Sequence, residues 1–308
     1  MLSRIAESLY WMGRYVERAD DTARLLDVHV HRMLGDAGDR RVGATLLAAM
    51  GLSGSVDVTD VDLWQATELL AYDGSNPSSV AGSLELARTN ASGLREVLAT
   101  EVWEAVNRTH HELDDEIDAA RLLGPHRFFG WVRERVALMS GLIDSIVLHD
   151  DGWRFLTIGR CLERVDMTSR LLTAVISSDD PGRWAGVLVS CGANDAFLRT
   201  YGGDIRRSNA LSLLLQAEDF PRSAAFALGQ AEECLREVAV STGTAPSIVR
   251  TIGRTRAELA YTPPDELNRT IATVLKSIEE CCRETDAEIQ ARYFRRADLV
   301  EWSTEIVR

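Results

Sequence analysis

A repeated polar motif is the sequence feature that most constrains the fold of this chain. Its first copy is Gly13-Arg14-x-x-Glu17-Arg18-x-Asp20-x-Thr22-x-Arg24-Leu25-Leu26. The second copy lies 146 residues later, as Gly159-Arg160-x-x-Glu163-Arg164-x-Asp166-x-Thr168-x-Arg170-Leu171-Leu172. Nine matching positions at one offset, most of them polar, are hard to obtain by chance. The sequence therefore predicts an internal duplication.

Both copies of the motif are predicted to be α-helical, because neither contains proline and both carry apolar residues at helical spacing. On a wheel that advances about 100° per residue, one face of the first copy carries Gly13, Glu17, Asp20 and Arg24. The opposite face is apolar. A face that meets only solvent is free to change between two copies, so the retained polar face is predicted to contact another group.

Two hypotheses explain the retained polar faces. In the first, the glutamate of each copy pairs with arginines of the other: Glu17 with Arg160 or Arg164, and Glu163 with Arg14 or Arg18. The second hypothesis is a small-molecule or metal site built around four carboxylates, namely Glu17, Asp20, Glu163 and Asp166. The candidate residues of the two hypotheses together are Arg14, Glu17, Arg18, Asp20, Arg24, Arg160, Glu163, Arg164, Asp166 and Arg170.

Composition places the chain among soluble globular proteins, since 45% of its 308 residues are hydrophobic and 26% are charged. We expect two duplicated helical halves, residues 1–149 and 150–308, that are related by a pseudo-twofold axis and share one core. The net charge of −13 argues against nucleic acid or an anionic membrane as a general partner. Only local clusters such as Arg206-Arg207 and Arg295-Arg296 could hold a phosphate, and solvated helix ends are the simpler interpretation.

The five cysteines are odd in number and contain no C-x-x-C, which fits neither a disulfide framework nor a zinc site. We expect reduced, buried thiols. The N-terminus lacks the pattern of a signal peptide, and no run approaches the roughly 18 apolar residues of a membrane span. A cytoplasmic location is therefore expected.

The sequence predicts an all-α bundle, since no stretch alternates with period two and glycine and proline fall between helical segments. We expect Asn76 to cap a helix that starts at Pro77 and runs toward Leu98. Pro221 is expected to begin the corresponding helix of the second half. Other helices are expected near residues 61–72, 184–191, 211–218 and 246–259, and a last one from Pro264 to Asp298.

No catalytic, metal or cofactor motif is complete in this sequence. A di-iron bundle needs Glu-x-x-His, and none of the six histidines has a glutamate three positions before it. His110-His111 with Glu112 and Asp115 could bind a divalent metal, but neighbouring histidines point to different helix faces. No phosphate-binding glycine loop follows a strand. Cys191 lies in a loop-like stretch and could be a nucleophile, although no histidine is near it in sequence. We therefore predict no cofactor and no metal.

The segment from Leu2 to Asp20, LSRIAESLYWMGRYVERAD, resembles the opening of the bacterial alpha-E family. That family is named for its helical content and its glutamates. Asn76-Pro77-Ser78-Ser79, the segment Trp103–Asn107 and the repeat Gly159–Arg164 are also similar to the family. The resemblance covers essentially the whole chain.

The resemblance implies a genomic association rather than an active site. Alpha-E proteins are encoded beside, or fused to, circularly permuted ATP-grasp proteins, often with a transglutaminase-like protein nearby. ATP-grasp enzymes activate a carboxylate as an acyl phosphate and join it to an amine. The leading hypothesis is therefore a helical component that docks with such a ligase without binding ATP. One alternative is an enzyme of the same pathway that uses Glu17 or Glu163 as general base, and another is a purely structural scaffold.

Overall fold

The computed structural model describes residues 3–35, 42–52, 61–243 and 247–294, and within these ranges the fold is all-α with no strand, as predicted. The break at Gly35–Gly38, the Ser53–Asp57 stretch and Arg295-Arg296 lie wholly or largely outside these residues. The helices are α1 Ser3–Gly35, α2 Val42–Ala49, α3 Leu63–Thr67, α4 Val80–Ser92, α5 Thr100–Leu123, α6 His126–Ile146, α7 Asp151–Val175, α8 Pro181–Ser190, α9 Asn194–Tyr201, α10 Arg207–Leu211, α11 Ala224–Thr242, α12 Ser247–Tyr261 and α13 Pro264–Ile289.

The expected starts of two long helices are wrong by three residues. Helix α4 begins at Val80, because the Ser79 hydroxyl accepts a hydrogen bond from the Gly82 amide at 2.8 Å and caps the first turn. The Asn76 side chain instead stabilises the preceding turn, where its amide donates to the Leu69 carbonyl at 2.9 Å. Helix α11 begins in the same way, with Ser223 as its cap.

Other boundaries differ because short helices are decided by packing more than by sequence pattern. Helix α4 ends at Ser92 and not near Leu98. Helix α9 was not predicted from the sequence. The segments expected at 61–72 and 211–218 are short α-helices, each of which is followed by a π-helical turn. These turns are Glu68–Tyr72 and Ser212–Gln216, and a third turn, Gln290–Phe294, follows α13.

Helices α1 and α7, which carry the two motif copies, pack against each other at the centre of the bundle. Helices α4 and α6 flank α1, and α11 and α13 flank α7. Their apolar faces join one core, whose large buried side chains include Tyr10, Met12, Phe128, Phe129, Trp184 and Phe197. None of the described helices combines the length and the apolar character needed to cross a membrane.

Helices α1 and α7 cross at the two motif glycines. A Cβ atom on Gly13 would lie 2.2 Å from the backbone oxygen of Leu156, and one on Gly159 would lie 2.2 Å from that of Tyr10. Tyr10 and Leu156 are themselves 146 residues apart, so each copy makes the same contact with the other. Only glycine permits so close an approach of two backbones. These reciprocal contacts support the hypothesis of an internal duplication.

Candidate functional site

Each of the two motif glutamates forms a bidentate ion pair with an arginine of the other motif helix. Arg164 donates to both carboxylate oxygens of Glu17, from Nε at 2.6 Å and from Nη2 at 2.8 Å. Arg18 binds Glu163 in the same bidentate way, at 2.5 Å and 3.0 Å. Bidentate pairs between a guanidinium and a carboxylate are among the strong charge-assisted hydrogen bonds of proteins. The glutamate and the second arginine of each copy thus lock α1 to α7.

The electrostatics of these pairs favour permanent charge on both glutamates, which are 2% and 3% exposed. Burial alone raises the pKa of Glu17, but Arg164 and Arg222 outweigh it and lower that pKa to about 2. Against the same effect of burial, Arg14 and Arg18 lower the pKa of Glu163 to about 2. A general base is most effective when its pKa lies near the working pH. Both glutamates are therefore poorly suited to abstract a proton.

The first arginines of the two copies have different partners. Arg14 donates to Glu163 from Nε at 2.5 Å, and its Nη1 lies 3.0 Å from the Tyr10 hydroxyl and 3.3 Å from Asp286 on α13. Arg160 instead donates to Asp144 at the end of α6, at 3.0 Å. The proposed contact between Glu17 and Arg160 is thus replaced by the contacts with Arg164. The pairing of the two copies is not fully symmetric.

Within each copy, the aspartate and the last arginine pair one helical turn apart. Arg24 donates to Asp20 at 2.8 Å, and Arg170 lies 2.9 Å from Asp166. The glycines Gly51 and Gly192, which end the turns after α2 and α8 with positive φ, lie against Arg170 and Arg24 respectively. Each motif helix therefore places an equivalent ion pair against the C-terminal end of a short helix, α2 for Arg170 and α8 for Arg24.

Arg222 is a central residue of the ion-pair network around Glu17 that the sequence analysis missed. Its guanidinium lies 3.1 Å from Asp20 and 3.6 Å from Glu17, and it also pairs with Asp21 and donates to the Cys191 carbonyl at 2.8 Å. Arg222 follows Pro221, and the residue that follows the corresponding Pro77 is Ser78. This difference between two otherwise corresponding positions is the sequence signal that could have identified Arg222.

The polar faces of the two copies consequently have different surroundings. Arg222 covers Asp20 and the neighbouring Asp21 of the first motif helix. Burial raises the pKa of Asp21 above its ordinary value, although the Arg222 guanidinium acts in the opposite direction. In the second half, Asp166 and Arg170 line an open cleft of about 860 Å³ between α2, α7 and α13. The other lining residues are Arg14, Ala44, Thr45, Ala48, Ala49, Thr173, Ala174, Glu279, Cys282, Arg283 and Asp286.

The cleft combines balanced charge with a wall of small apolar side chains. Three arginines and three carboxylates line it: Arg14, Arg170, Arg283, Asp166, Glu279 and Asp286. Alanines of α2 and α7 form the apolar wall. Such a surface can bind a ligand that carries both a carboxylate and an amine, because each charge of the ligand finds an opposite charge. Its size is that of a small-molecule site.

Several other candidates of the sequence analysis have ordinary structural roles. All five cysteines are free and buried, as expected. Burial, followed by the nearby Asp21, raises the pKa of Cys191 to about 12, which argues against a nucleophilic thiolate. His110 lies 3.0 Å from Glu85 of α4, away from a joint cluster with Glu112 and Asp115. Arg206 pairs with Asp204 at 2.9 Å.

Sequence comparisons find curated mycobacterial proteins that are similar to this chain. It is 25% identical over 305 residues to uncharacterised proteins of Mycobacterium tuberculosis and Mycobacterium bovis, an alignment that covers 89% of this chain. The chain spans about a third of the length of these curated relatives, 34% in each case. No solved structure matches it.

A family model matches residues 1–294, and its description is a predicted alpha-helical domain with a conserved ER motif. Both motif copies contain Glu-Arg at the position where the helices are locked together, as Glu17-Arg18 and Glu163-Arg164. Because the match covers nearly the whole chain, this protein belongs to the Alpha-E family.

Proposed function

We propose that this protein is a helical, non-catalytic component of an amide- or peptide-ligating system that depends on an ATP-grasp ligase. In this role it docks with the ligase and holds the substrate or product of ligation in the cleft between α2, α7 and α13. The observation that carries the proposal is the cleft itself, whose charges of both signs fit a peptide-like ligand. The association with an ATP-grasp protein, and with a transglutaminase-like protein, rests on the family resemblance.

The electrostatics of the motif glutamates favour binding over catalysis. Glu17 and Glu163 would be the general bases of an enzyme built on the motif, yet each carries a pKa near 2 because arginines surround it. Their carboxylates are also buried, and neither glutamate lines the cleft. The residues that can meet a ligand are Arg14, Asp166 and Arg170 of the motif, together with charged residues of α13.

Copurification tests the partnership. A tagged form of this protein, expressed in its own cells, is expected to bring down an ATP-grasp protein that mass spectrometry identifies. The absence of such a partner, together with the absence of a complex on mixing the purified proteins, would refute the proposal. A location in the cytoplasm is part of the same proposal, and fractionation of those cells tests it.

Reconstituted ligation tests the role of the cleft. We expect Arg170→Gln and Glu279→Gln to lower the yield of ligated product at least tenfold while the complex with the ligase still forms. Arg183→Gln is the matched control, because Arg183 is an exposed arginine on α8 outside the cleft. Product formation by this protein alone would favour the enzyme alternative. Unchanged ligation by the cleft variants would favour the scaffold alternative.

A further inference from the structure

A second polar cluster lies where α1 meets the first residue of α6. Asp27 and His31 are one turn apart on α1, and His126 begins α6. The Nδ1 atom of His126 lies 2.6 Å from Asp27 Oδ1, and the Nδ1 atom of His31 lies 3.3 Å from the same oxygen. The two imidazole rings meet edge to face, with centroids 4.4 Å apart. His126, which is 95 or more positions from the other two residues in sequence, thus joins them to place two imidazoles and one carboxylate at one point.

This set of ligands matches the chemistry of divalent transition metals. Imidazole nitrogen and carboxylate oxygen bind Zn²⁺ at about 2.0–2.2 Å, whereas Mg²⁺ and Ca²⁺ prefer oxygen alone. One potential ligand atom from each residue lies within 4.8 Å of the other two. A tetrahedral metal needs its ligand atoms roughly 3.3–3.6 Å apart, as those bond lengths require. Modest rotation of exposed imidazole rings can close the difference.

The surroundings of Asp27 fit the role of an anchoring ligand. Its side chain is mostly buried, whereas those of His31 and His126 are 53% and 65% exposed. Arg133 of α6 lies 3.6 Å from the other carboxylate oxygen, Oδ2. A partner of this kind orients a ligating carboxylate and leaves Oδ1 directed toward the histidines. The carboxylate is therefore held in place, whereas the two imidazoles are more exposed, although the Nδ1 atom of His31 also lies 2.9 Å from the Asp27 backbone oxygen.

We propose that Asp27, His31 and His126 form a binding site for a divalent transition-metal ion of the zinc type, which links α1 to α6. Three protein ligands leave the remaining position of a tetrahedral ion to water. The site is separate from the cleft, because none of its three residues lines that cavity. It is likewise independent of the proposed partnership with a ligase.

Isothermal titration of the metal-free, untagged full chain with zinc chloride tests the site. We expect one Zn²⁺ per chain, and at least tenfold weaker binding for His31→Ala and for His126→Ala. His111→Ala is the matched control, because it also removes an exposed imidazole from a helix but leaves the three ligands intact. Thermal melts of the metal-free variants check that each of them folds. We expect them to fold, because the three substituted side chains are exposed.

Cobalt provides a second readout that a simple hydrogen-bonded cluster does not give. Co²⁺ in a tetrahedral or five-coordinate site with nitrogen ligands absorbs strongly in the visible range, whereas hexaaqua Co²⁺ absorbs weakly. We expect the wild-type chain and His111→Ala to show this absorption, and His31→Ala and His126→Ala to lose it. Failure of the wild-type chain to bind either ion, or equal binding by all four proteins, would overturn the proposal. The three residues would then form only a hydrogen-bonded contact between α1 and α6.

Discussion

Replacement of Glu163 by glutamine tests whether the motif glutamates hold the fold together. The substitution keeps the size of the side chain and removes its charge. Arg14 and Arg18, which are only 11% and 17% exposed, would then lose their shared anionic partner. Because a guanidinium stays charged in proteins, both arginines would remain as buried cations near the crossing of α1 and α7.

Two independent estimates give the size of the effect. Removal of one partner of a buried ion pair costs about 3–5 kcal/mol. A pKa lowered from 4.5 to about 2 corresponds to about 3 kcal/mol of stabilisation by the ionised form. For a chain of this size, such a loss lowers the melting temperature by about 5–15 °C. We expect a similar loss for Glu17→Gln, because Arg164 and Arg222 surround that carboxylate in the same way.

Differential scanning calorimetry at neutral pH measures the effect, with Glu258→Gln as control. Glu258 is an exposed glutamate whose partner Arg254 lies 4.0 Å away, so its loss should leave the melting temperature nearly unchanged. If Glu17→Gln and Glu163→Gln melt at or above the wild-type temperature, the carboxylates do not stabilise the fold. Their burial would then be strain retained for function, as an active-site role requires.

The remaining predictions concern pH, the helix crossing and Arg222. The pKa of Glu163 is lowered from 4.5 to about 2 in the folded chain, so its contribution to the free energy of unfolding is complete above pH 4.5 and is lost as the pH falls toward about 2. Chemical denaturation should therefore show a weaker pH dependence of stability for Glu163→Gln than for the wild-type chain over this interval. Gly13→Ala should destabilise the chain by about 1–3 kcal/mol or more, because its Cβ would overlap a backbone carbonyl. Gly141→Ala on α6, where nothing lies within 4 Å, should instead stabilise it by about 0.5–1 kcal/mol, and equal effects in urea titrations would contradict the close crossing. Arg222→Gln should lower the melting temperature as Glu163→Gln does, while exposed Arg183→Gln should not.

The sequence is sufficient to predict the fold class and to limit the partners of the motif glutamates. A polar helix face retained in two copies has few explanations, and the choice of Arg160 or Arg164 for Glu17 could be stated from the motif alone. The selection of Arg164 requires the crossing angle of α1 and α7, which depends on the packing of all their neighbours. The cap at Ser79 was missed because Asn76 and Pro77 form an equally plausible cap in isolation, and the cap at Ser223 was missed because the expected start at Pro221 rests on its analogy with Pro77.

The cleft and the metal-ligand cluster could not be predicted from the sequence, because they join residues that are far apart along the chain. Asp286 of α13 reaches Arg14 and Tyr10 across more than 270 residues, and His126 reaches Asp27 across 99. Neither pair belongs to a motif with a fixed spacing. Their proximity depends on how α6 and α13 pack against the motif helices, and a helical wheel carries no such information.

Because Arg222 and Ser78 differ at corresponding positions, one motif copy stabilises the bundle while the other can take the binding role that we propose. Arg222 supplies the cation that pairs with the buried carboxyl groups of Asp20 and Asp21 in the first motif helix. In the second half, Met167 stands where the motif offset places Asp21, so no second buried carboxylate requires a cation there. Asp166 can then face the cleft with Arg170 as its only ion-pair partner among the described residues. Substitutions of Arg170 or Glu279 should consequently impair ligand binding without breaking the buried pairs of Glu17 and Glu163, whereas Glu163→Gln should lower stability first.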